Sequence, residues 1–167
     1  NLLHELIAMY MSQPKKRFIV GFAGPSGSGK SSTVEILRQL SLMAGLPFQI
    51  ATVGIDAYTY SDNYLLSHYE DGVLLKDVKG RYDTYNVDKL EGDLTAFARG
   101  KKVTLPTYSR KTHTATENST VLEEERVLLL VEGLWLFSDK NNWNTVYDTL
   151  DYSFFVPGHK EKVRDLT

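Results

Sequence analysis

The alternation of apolar and polar stretches along the chain predicts a protein of alternating strands and helices. Four apolar runs have the length of buried strands: residues 17–22, 48–53, 126–131 and 152–156. The run 126–131 is the most apolar of the four, as expected for a central strand that is covered on both faces. Because helical patterns separate the runs, we expect an α/β fold with a mostly parallel central sheet and helices on both faces, a three-layer αβα sandwich.

Apolar residues recur at helical spacing between these runs. The predicted helices cover residues 3–10, 30–44, 87–98 and 139–150, and a further one starts near residue 158. The first carries one apolar stripe, so we expect it to dock on the core. Gly45 suits the left-handed cap that ends the second helix, and Asn86 suits the cap that begins the third. Gly100 closes the third helix.

Two connections are longer and more polar than the others. Residues 57–86 are rich in tyrosine and glycine, and compact domains rarely carry so long a connection without a use for it. Residues 102–105 predict a strand that Pro106 stops. The polar segment 107–121 then predicts a short hairpin or an extended loop.

Composition narrows the class of protein. A chain of 167 residues suits one domain with a real core, and its net charge of −2 gives no general attraction to nucleic acid. There is no cysteine, which excludes disulfides and thiolate metal sites and fits a cytoplasmic location. No apolar run reaches membrane-spanning length, so we expect no membrane partner. The chain begins without methionine, which suggests a fragment of a longer gene product.

One glycine-rich turn carries the strongest chemical signal. Residues 24–31 fit the phosphate-binding pattern G-x-x-x-x-G-K-[ST] between a predicted strand and a predicted helix. Glycines let successive backbone N–H groups point at one anion, and the helix N-terminus adds its unpaired donors. We therefore expect a P-loop NTPase fold that binds ATP. The predicted ATP contacts are Gly24, Pro25, Ser26, Gly27, Ser28, Gly29, Lys30, Ser31 and Ser32.

Two acidic residues end predicted strands at the same edge of the sheet. The Lys30 ammonium is expected to meet the outer phosphates, and the Ser31 hydroxyl to bind Mg²⁺. Glu132 suits a second support for that metal, although a strand-ending glutamate can also be a plain turn residue. Asp56 can hold an attacking hydroxyl and accept its proton, which would make it catalytic together with Lys30. The alternative for Asp56 is a helix cap.

Four further residues could shape an acceptor pocket. Tyr58 and Tyr108 offer flat walls to a planar or sugar-like ligand, and His113 can bond a base edge. Asp83 could bind sugar hydroxyls or cap the next helix. Each of these residue types also occurs as ordinary surface structure.

These motifs resemble the P-loop kinases that group uridine kinase, bacterial pantothenate kinase and phosphoribulokinase. The loop 24–32 is similar to that of uridine kinases, and Asp56-Ala57-Tyr58 resembles the stretch whose aspartate is their catalytic base. Tyr82-Asp83 falls where they carry a ribose-contacting pair. Pro106-Thr107-Tyr108 with His113 matches the spacing of their base-contacting motif, and residues 131–134 match their metal-binding motif.

Pantothenate kinases are similar in two other places. Residues 79–83 resemble the Lys-Gly that precedes a Tyr-Asp in those enzymes, which adds Arg81 to the predicted acceptor contacts. Residues 106–110 resemble their proline-valine-tyrosine-serine-histidine, with Arg110 in place of the histidine. Alanine at position 57, where uridine kinases carry serine, departs from their pattern. The resemblance implies ATP and Mg²⁺ as cofactors and a nucleoside or pantothenate-like acceptor. It also implies a homo-oligomer, because related kinases are often dimers or tetramers.

We therefore expect residues 1–167 to form one P-loop kinase domain. Its parts would be an N-terminal helix and connector over 1–16 and acceptor-site insertions over 57–86 and 107–121. The arginine-rich lid and final helices of these kinases are expected to be absent, since only Lys160, Lys162 and Arg164 follow the last strand before the chain ends. A nucleotide-dependent switch without a small acceptor, or a ligand-sensing relative, is the alternative.

Overall fold

The computed structural model of the chain describes residues 2–25, 27–109, 111–112 and 114–158, with only the backbone for Asn118. The helices are α1 Leu2–Met11, α2 Lys30–Ala44, α3 Asp62–Ser67, α4 Val87–Ala98 and α5 Trp143–Tyr147. The strands are β1 Arg17–Ala23, β2 Gln49–Gly54, β3 Tyr69–Glu70, β4 Val73–Leu74, β5 Val103–Ser109, β6 Thr114–Leu122, β7 Val127–Gly133 and β8 Tyr152–Phe155. Short 3₁₀ turns cover Ile55–Tyr58, Leu75–Val78, Tyr82–Thr84 and Lys140–Asn142.

Four parallel strands form the central sheet in the order β2-β7-β1-β8. Strands β1 and β7 lie inside the sheet, and every residue of β1 is buried. This confirms the predicted α/β fold with a parallel sheet, and it confirms the interior position of the run 126–131. Parallel strands that are covered on both faces need continuous apolar sequence, which is the pattern that these two strands carry.

Two apolar clusters cover the two faces of the sheet. Helices α1 and α2 pack on one face, where Leu6 and Phe22 are almost fully buried. Helices α4 and α5 pack on the other face, around Leu94, Phe97 and Trp143. The three layers predicted from the sequence are therefore present, and the stripe of α1 docks on the core as expected.

The ends of the long helices follow the predicted glycine and asparagine positions. Helix α2 is preceded by Gly29, with a φ of 87°, and followed by Gly45, with a φ of 62°. Both angles lie in the left-handed region that glycine adopts without strain. The Asn86 side chain accepts a hydrogen bond from the Lys89 N–H, so it caps α4 as predicted. The helix predicted over 139–150 is shorter in the structure, where a 3₁₀ turn precedes the five-residue helix α5.

The prediction that Pro106 stops a strand is wrong. Strand β5 continues through Pro106 to Ser109 and pairs with β6 in a separate antiparallel hairpin. The register shifts between Leu105 and Thr107, at the residue that lacks an N–H group. A two-stranded ribbon with an irregular register tolerates proline, because the missing donor removes no regular hydrogen bond. Within the predicted segment 107–121, residues 107–109 and 114–121 therefore belong to the two strands of a hairpin, one of the two predicted alternatives.

The buried guanidinium of Arg17 fixes the end of the sheet where β1 begins. Its nitrogens donate to the carbonyl oxygens of Phe97 in the last turn of α4, of Lys101 after α4, and of Glu124 before β7. The same group lies 4.8 Å from the centre of the Phe97 ring. The Arg17 side chain thus binds carbonyl oxygens from separate parts of the chain. Burial of its charge is tolerated because the guanidinium donors are paired.

Candidate active site

The phosphate loop follows β1 and leads directly into α2. Gly27 and Gly29 adopt φ angles of 75° and 87°, and Gly24 is buried. A Cβ added at Gly24 would clash with the Val156 carbonyl oxygen, so the loop begins in close contact with the backbone after β8. These backbone conformations are the ones that turn peptide N–H groups toward one concave side.

Two side chains of the loop suit a bound phosphate chain. Lys30 is 9% exposed, and its ammonium donates to the Pro25 carbonyl oxygen at 3.3 Å, across the loop. Among the described residues, the buried Ser28 hydroxyl has no hydrogen-bond partner. An unpaired buried hydroxyl costs free energy unless a ligand oxygen or water satisfies it, so the loop fits a phosphate group.

Two strand ends bring the acidic residues beside this loop. Glu132 lies in register with Gly54 of β2 on one side and with Phe22 of β1 on the other. A Cβ at Gly54 would lie 2.5 Å from Glu132 Oε1, and a Cβ at Gly133 would meet the Ile55 side chain. Both glycines therefore permit a close approach between the ends of β2 and β7. Asp56 is exposed in the 3₁₀ turn that follows β2.

These groups line one cavity of about 540 Å³. Its walls include the loop glycines, Lys30, Ser31, Ser32, Asp56, Gly80, Tyr85 and Glu132. The structure therefore brings the phosphate loop and both strand-ending acids to the same rim of the sheet. Topology explains this, because the carboxyl ends of parallel strands meet at one edge.

A second cavity of about 640 Å³ continues from the first along α2 and β5. The two share Ser31, Ser32, Asp56 and Glu132, and the second reaches Pro106 and Tyr108. A third cavity of about 360 Å³ is also lined by Tyr108, together with Tyr60, Lys79 and Glu117 among others. A ligand held at Asp56 thus has room to extend toward Tyr108.

The donor set fits Mg²⁺ held jointly with phosphate oxygens. The described residues contain no group of three or more His, Cys, Asp or Glu side chains placed to hold a metal by themselves. Mg²⁺ in nucleotide sites is bound by one or two protein oxygens together with phosphates and waters. Ser31 and Glu132 line both of the larger cavities and are the residues that would hold it.

Tyr58 does not form the exposed wall predicted from the sequence. Its ring is 2% exposed within the core, and its hydroxyl donates to Asp93 at 2.8 Å on α4. Lys89 lies 5.5 Å from the ring centre. Burial, and then the charge of Asp93, raise the pKa of Tyr58. The 3₁₀ turn explains the difference, because it exposes Asp56 while turning the residue two positions later inward.

Arg81 and Asp83 bind each other instead of lining the cavities. The guanidinium donates twice to the carboxylate, at 2.8 and 2.6 Å, and the Asp83 side chain is 5% exposed. The pairing raises the pKa of Arg81. Asp83 does not cap α4, because Asn86 does. Ser26, Arg110, His113 and residues 159–167 lie outside the described residues.

Tyr85 and Gly80 also line the first cavity, although neither was among the predicted site residues. The Tyr85 hydroxyl lies 3.4 Å from Asp56 Oδ1. Trp135 donates its indole N–H to the Gly80 carbonyl oxygen at 2.8 Å, and Trp143 donates to the Tyr82 carbonyl oxygen at 2.9 Å. The length and tyrosine content of segment 57–86 were the only signal for these contacts.

Comparison with known proteins shows the family to which this chain belongs. The Phosphoribulokinase / Uridine kinase family matches residues 19–162, which is most of the chain. The chain therefore belongs to the phosphoribulokinase and uridine kinase family, as its motifs predicted.

The relatives carry more than one name. Uncharacterized protein YggC of Escherichia coli strain K12 is 29% identical over 164 residues, which cover 98% of this chain and 66% of the relative. Uridine kinase of Vibrio vulnificus strain YJ016 is 37% identical over 133 residues, covering 77% and 58%. Pantothenate kinase of Enterococcus faecalis strain V583 is 30% identical over 156 residues, covering 92% and 47%. The chain thus spans about half to two thirds of the length of these relatives.

Solved structures share the fold. The proposed fructose transport system kinase of Silicibacter sp. TM1040 superposes with a TM-score of 0.73 at 21% identity, covering 93% of this chain and 73% of that one. The proposed uridine kinase of Bacillus stearothermophilus gives a TM-score of 0.64 at 18% identity, covering 92% and 80%. At these identities the likeness concerns the fold alone. Within the described residues, no helix combines the length and apolar character needed to cross a membrane.

Proposed function

We propose that the protein is a small-molecule kinase that uses ATP and Mg²⁺ to phosphorylate an alcohol. The observation that carries this proposal is the shared cavity, in which Lys30 and Ser31 of the phosphate loop face the same space as Asp56 and Glu132. A loop of this kind alone indicates nucleotide binding. A carboxylate exposed beside it supplies the group that transfer to an alcohol needs.

Each residue has a distinct task in the proposed reaction. The Lys30 ammonium and the loop N–H groups neutralise charge on the transferring phosphoryl group. Ser31 and Glu132 would hold Mg²⁺, which would supply further charge neutralisation. Asp56 orients the acceptor hydroxyl in line with the γ-phosphorus and accepts its proton. The new O–P bond forms as the bond to the β-phosphate oxygen breaks, which releases ADP.

The proposed acceptor is a nucleoside-like alcohol. The cavity that continues from Asp56 to Tyr108 is large enough for such a molecule, and a tyrosine ring suits a base or a sugar. A pantothenate-like acceptor is the alternative, because relatives named for both substrates cover most of this chain. We further propose that the protein acts in the cytoplasm as a homo-oligomer. Light scattering after size-exclusion chromatography tests the oligomeric state.

An acceptor panel tests the activity. Release of ADP from ATP·Mg²⁺ should accelerate with one of a set that contains nucleosides, pantothenate and sugars, and the phosphorylated product should be detected by mass spectrometry. Asp56→Asn should retain ATP affinity within about twofold and lose turnover by about 10³-fold.

The matched control is Asp139→Asn, which makes the same change at an exposed aspartate outside the three cavities. This control should keep full turnover. Unchanged turnover in Asp56→Asn would remove Asp56 from the mechanism. If no small alcohol accelerates ADP release while a protein partner does, the protein is a nucleotide-dependent switch instead.

A further inference from the structure

We propose that Tyr85 is a positioning residue, whose hydroxyl orients the Asp56 carboxylate for its role as base. This inference rests on the proposed function for its catalytic meaning. The pairing of the two side chains can also be tested without any substrate. The 3.4 Å contact between the Tyr85 hydroxyl and Asp56 Oδ1 carries the proposal, together with the way in which the tyrosine is held.

The backbone holds Tyr85 beside the turn that bears Asp56. Thr59 and Tyr85 form an isolated antiparallel bridge. Two backbone hydrogen bonds flank this bridge, from Tyr60 N–H to the Thr84 carbonyl at 3.0 Å and from Asn86 N–H to the Tyr58 carbonyl at 2.7 Å. The segment before α4 is thus fixed to the residues that directly follow Asp56. The position of the Tyr85 ring relative to the carboxylate is therefore set by hydrogen-bonded backbone.

The ring itself has little freedom. Tyr85 is 5% exposed, and its ring meets the buried Trp143 ring edge-on, with 5.6 Å between the ring centres. Edge-to-face aromatic pairs of this kind are favourable and restrict rotation. Tyr85 lines the first cavity, and its hydroxyl is the atom that contacts Asp56.

The hydroxyl acts as a donor and not as a base. Burial, and then the charge of Asp56, raise the pKa of Tyr85 well above its ordinary value. Tyr85 therefore keeps its proton and donates it toward Asp56 Oδ1. The second carboxylate oxygen is left for the acceptor hydroxyl. The present separation is long for a hydrogen bond to a carboxylate, and contacts of this kind commonly shorten when the substrate binds.

A double-mutant cycle tests the proposal. Tyr85→Phe keeps the ring and its contact with Trp143 while it removes the hydroxyl. We expect kcat to fall about 10-fold, with the KM for ATP unchanged within twofold. In the Asp56→Ala background the same substitution should cause no further loss, because the carboxylate through which it acts is gone. An equal loss in both backgrounds, or an unchanged kcat in Tyr85→Phe, would overturn the proposal.

The matched control is Tyr10→Phe. Tyr10 is 2% exposed in the opposite core, and its hydroxyl donates to the Lys16 carbonyl oxygen. This substitution also removes a hydroxyl from a buried tyrosine, and kcat should stay within twofold of the wild-type value. A comparable fall in kcat for Tyr10→Phe would show that the loss in Tyr85→Phe is a general effect of destabilisation and would overturn the positioning role.

A second readout separates this proposal from the proposed function. Thermal unfolding of the four proteins of the cycle needs no substrate. If the hydroxyl and the carboxylate interact, Tyr85→Phe should lower the melting temperature less in the Asp56→Ala background than in the wild type. That result supports the pairing even if no acceptor is ever phosphorylated. Equal shifts of the melting temperature in both backgrounds count against the pairing, whatever the activity is.

Discussion

The carboxylate of Glu132 lies against the α-carbon of Gly54: a Cβ added at Gly54 would be 2.5 Å from Glu132 Oε1. The two residues are in register on neighbouring parallel strands, at the rim where the phosphate loop also ends. The missing side chain at position 54 therefore leaves the space that the proposed magnesium ligand occupies. Any larger residue there must displace the carboxylate.

Gly54→Ala should weaken the use of Mg²⁺ while it preserves the fold. The obstructing atom is the end of a flexible side chain, so Glu132 can rotate away at small cost in stability. We expect the Mg²⁺ concentration for half-maximal activity to rise about 10-fold, as for other disturbances around metal ligands. A magnesium titration at saturating ATP measures this.

The control for that titration is Gly92→Ala in α4. A Cβ at Gly92 would meet nothing within 4 Å. This substitution should leave the Mg²⁺ requirement unchanged and stabilise the protein by about 0.5 to 1 kcal/mol, because alanine is the better helix former. If Gly54→Ala leaves the Mg²⁺ requirement as unchanged as Gly92→Ala does, then Glu132 is not a magnesium ligand.

Trp135→Phe should weaken acceptor binding, because it removes a hydrogen bond to the loop that contains Gly80. The indole donates to the Gly80 carbonyl oxygen, and Gly80 adopts a φ of 99° at the cavity wall. Loss of one such hydrogen bond costs about 1 kcal/mol, so we expect the acceptor KM to rise about fivefold. The dissociation constant for ATP should stay within twofold, since the phosphate loop keeps its contacts.

Fluorescence offers a direct check on this loop. The chain has two tryptophans, and both donate to carbonyls of residues 80–82. In a Trp143→Phe variant the emission comes from Trp135 alone, and it should change when ATP·Mg²⁺ and the acceptor are added together. Unaltered emission, combined with an unaltered acceptor KM in Trp135→Phe, would show that the loop does not respond to ligands.

Alkaline pH should destabilise the fold. Burial, followed by the neighbouring Tyr64, raises the pKa of Tyr60 from 10.0 to about 12, and burial also raises the pKa of Tyr58 and Tyr85. The folded protein therefore keeps tyrosine protons that the unfolded chain loses above pH 10. Below pH 10 these tyrosines should not make the free energy of unfolding depend on pH. Above pH 10 the free energy of unfolding should fall as the pH rises toward 12.

Urea unfolding between pH 8 and 11.5 measures that fall. Tyr58→Phe should be less stable than the wild type at pH 8, because the hydrogen bond to Asp93 is lost. The stability of this variant should decline less steeply above pH 10, since one tyrosine with a raised pKa has been removed. A decline as steep as that of the wild type would mean that Tyr58 does not contribute to the pH dependence.

The sequence was sufficient for the features that depend on neighbours in the chain. The phosphate loop, the start of α2 at Lys30 and the caps at Gly45 and Asn86 each follow from a short local pattern. Asp56 and Glu132 could be placed at one rim because parallel topology brings the carboxyl ends of strands together. Both lie there in the structure.

The features that were missed depend on distant parts of the chain. The contact between Tyr85 and Asp56 joins residues 29 positions apart, and residue type does not show which of many tyrosines makes it. The inward orientation of Tyr58 depends on the 3₁₀ turn and on Asp93 of α4. Strand β5 passes through Pro106 because, among the described residues, it pairs with β6 alone, an arrangement that periodicity does not predict.

The Arg17 anchor lies at the end of the sheet opposite the rim that carries Asp56 and Glu132, and different interactions hold the two ends together. At the anchored end, one cation joins connections from separate parts of the chain through their carbonyls. At the rim, glycines and irregular segments leave side chains that line the cavities. Residues at the rim can therefore change, and with them the acceptor that we propose, without disturbing the anchor. Such a division offers one physical reason why relatives with this scaffold carry names that refer to chemically different substrates.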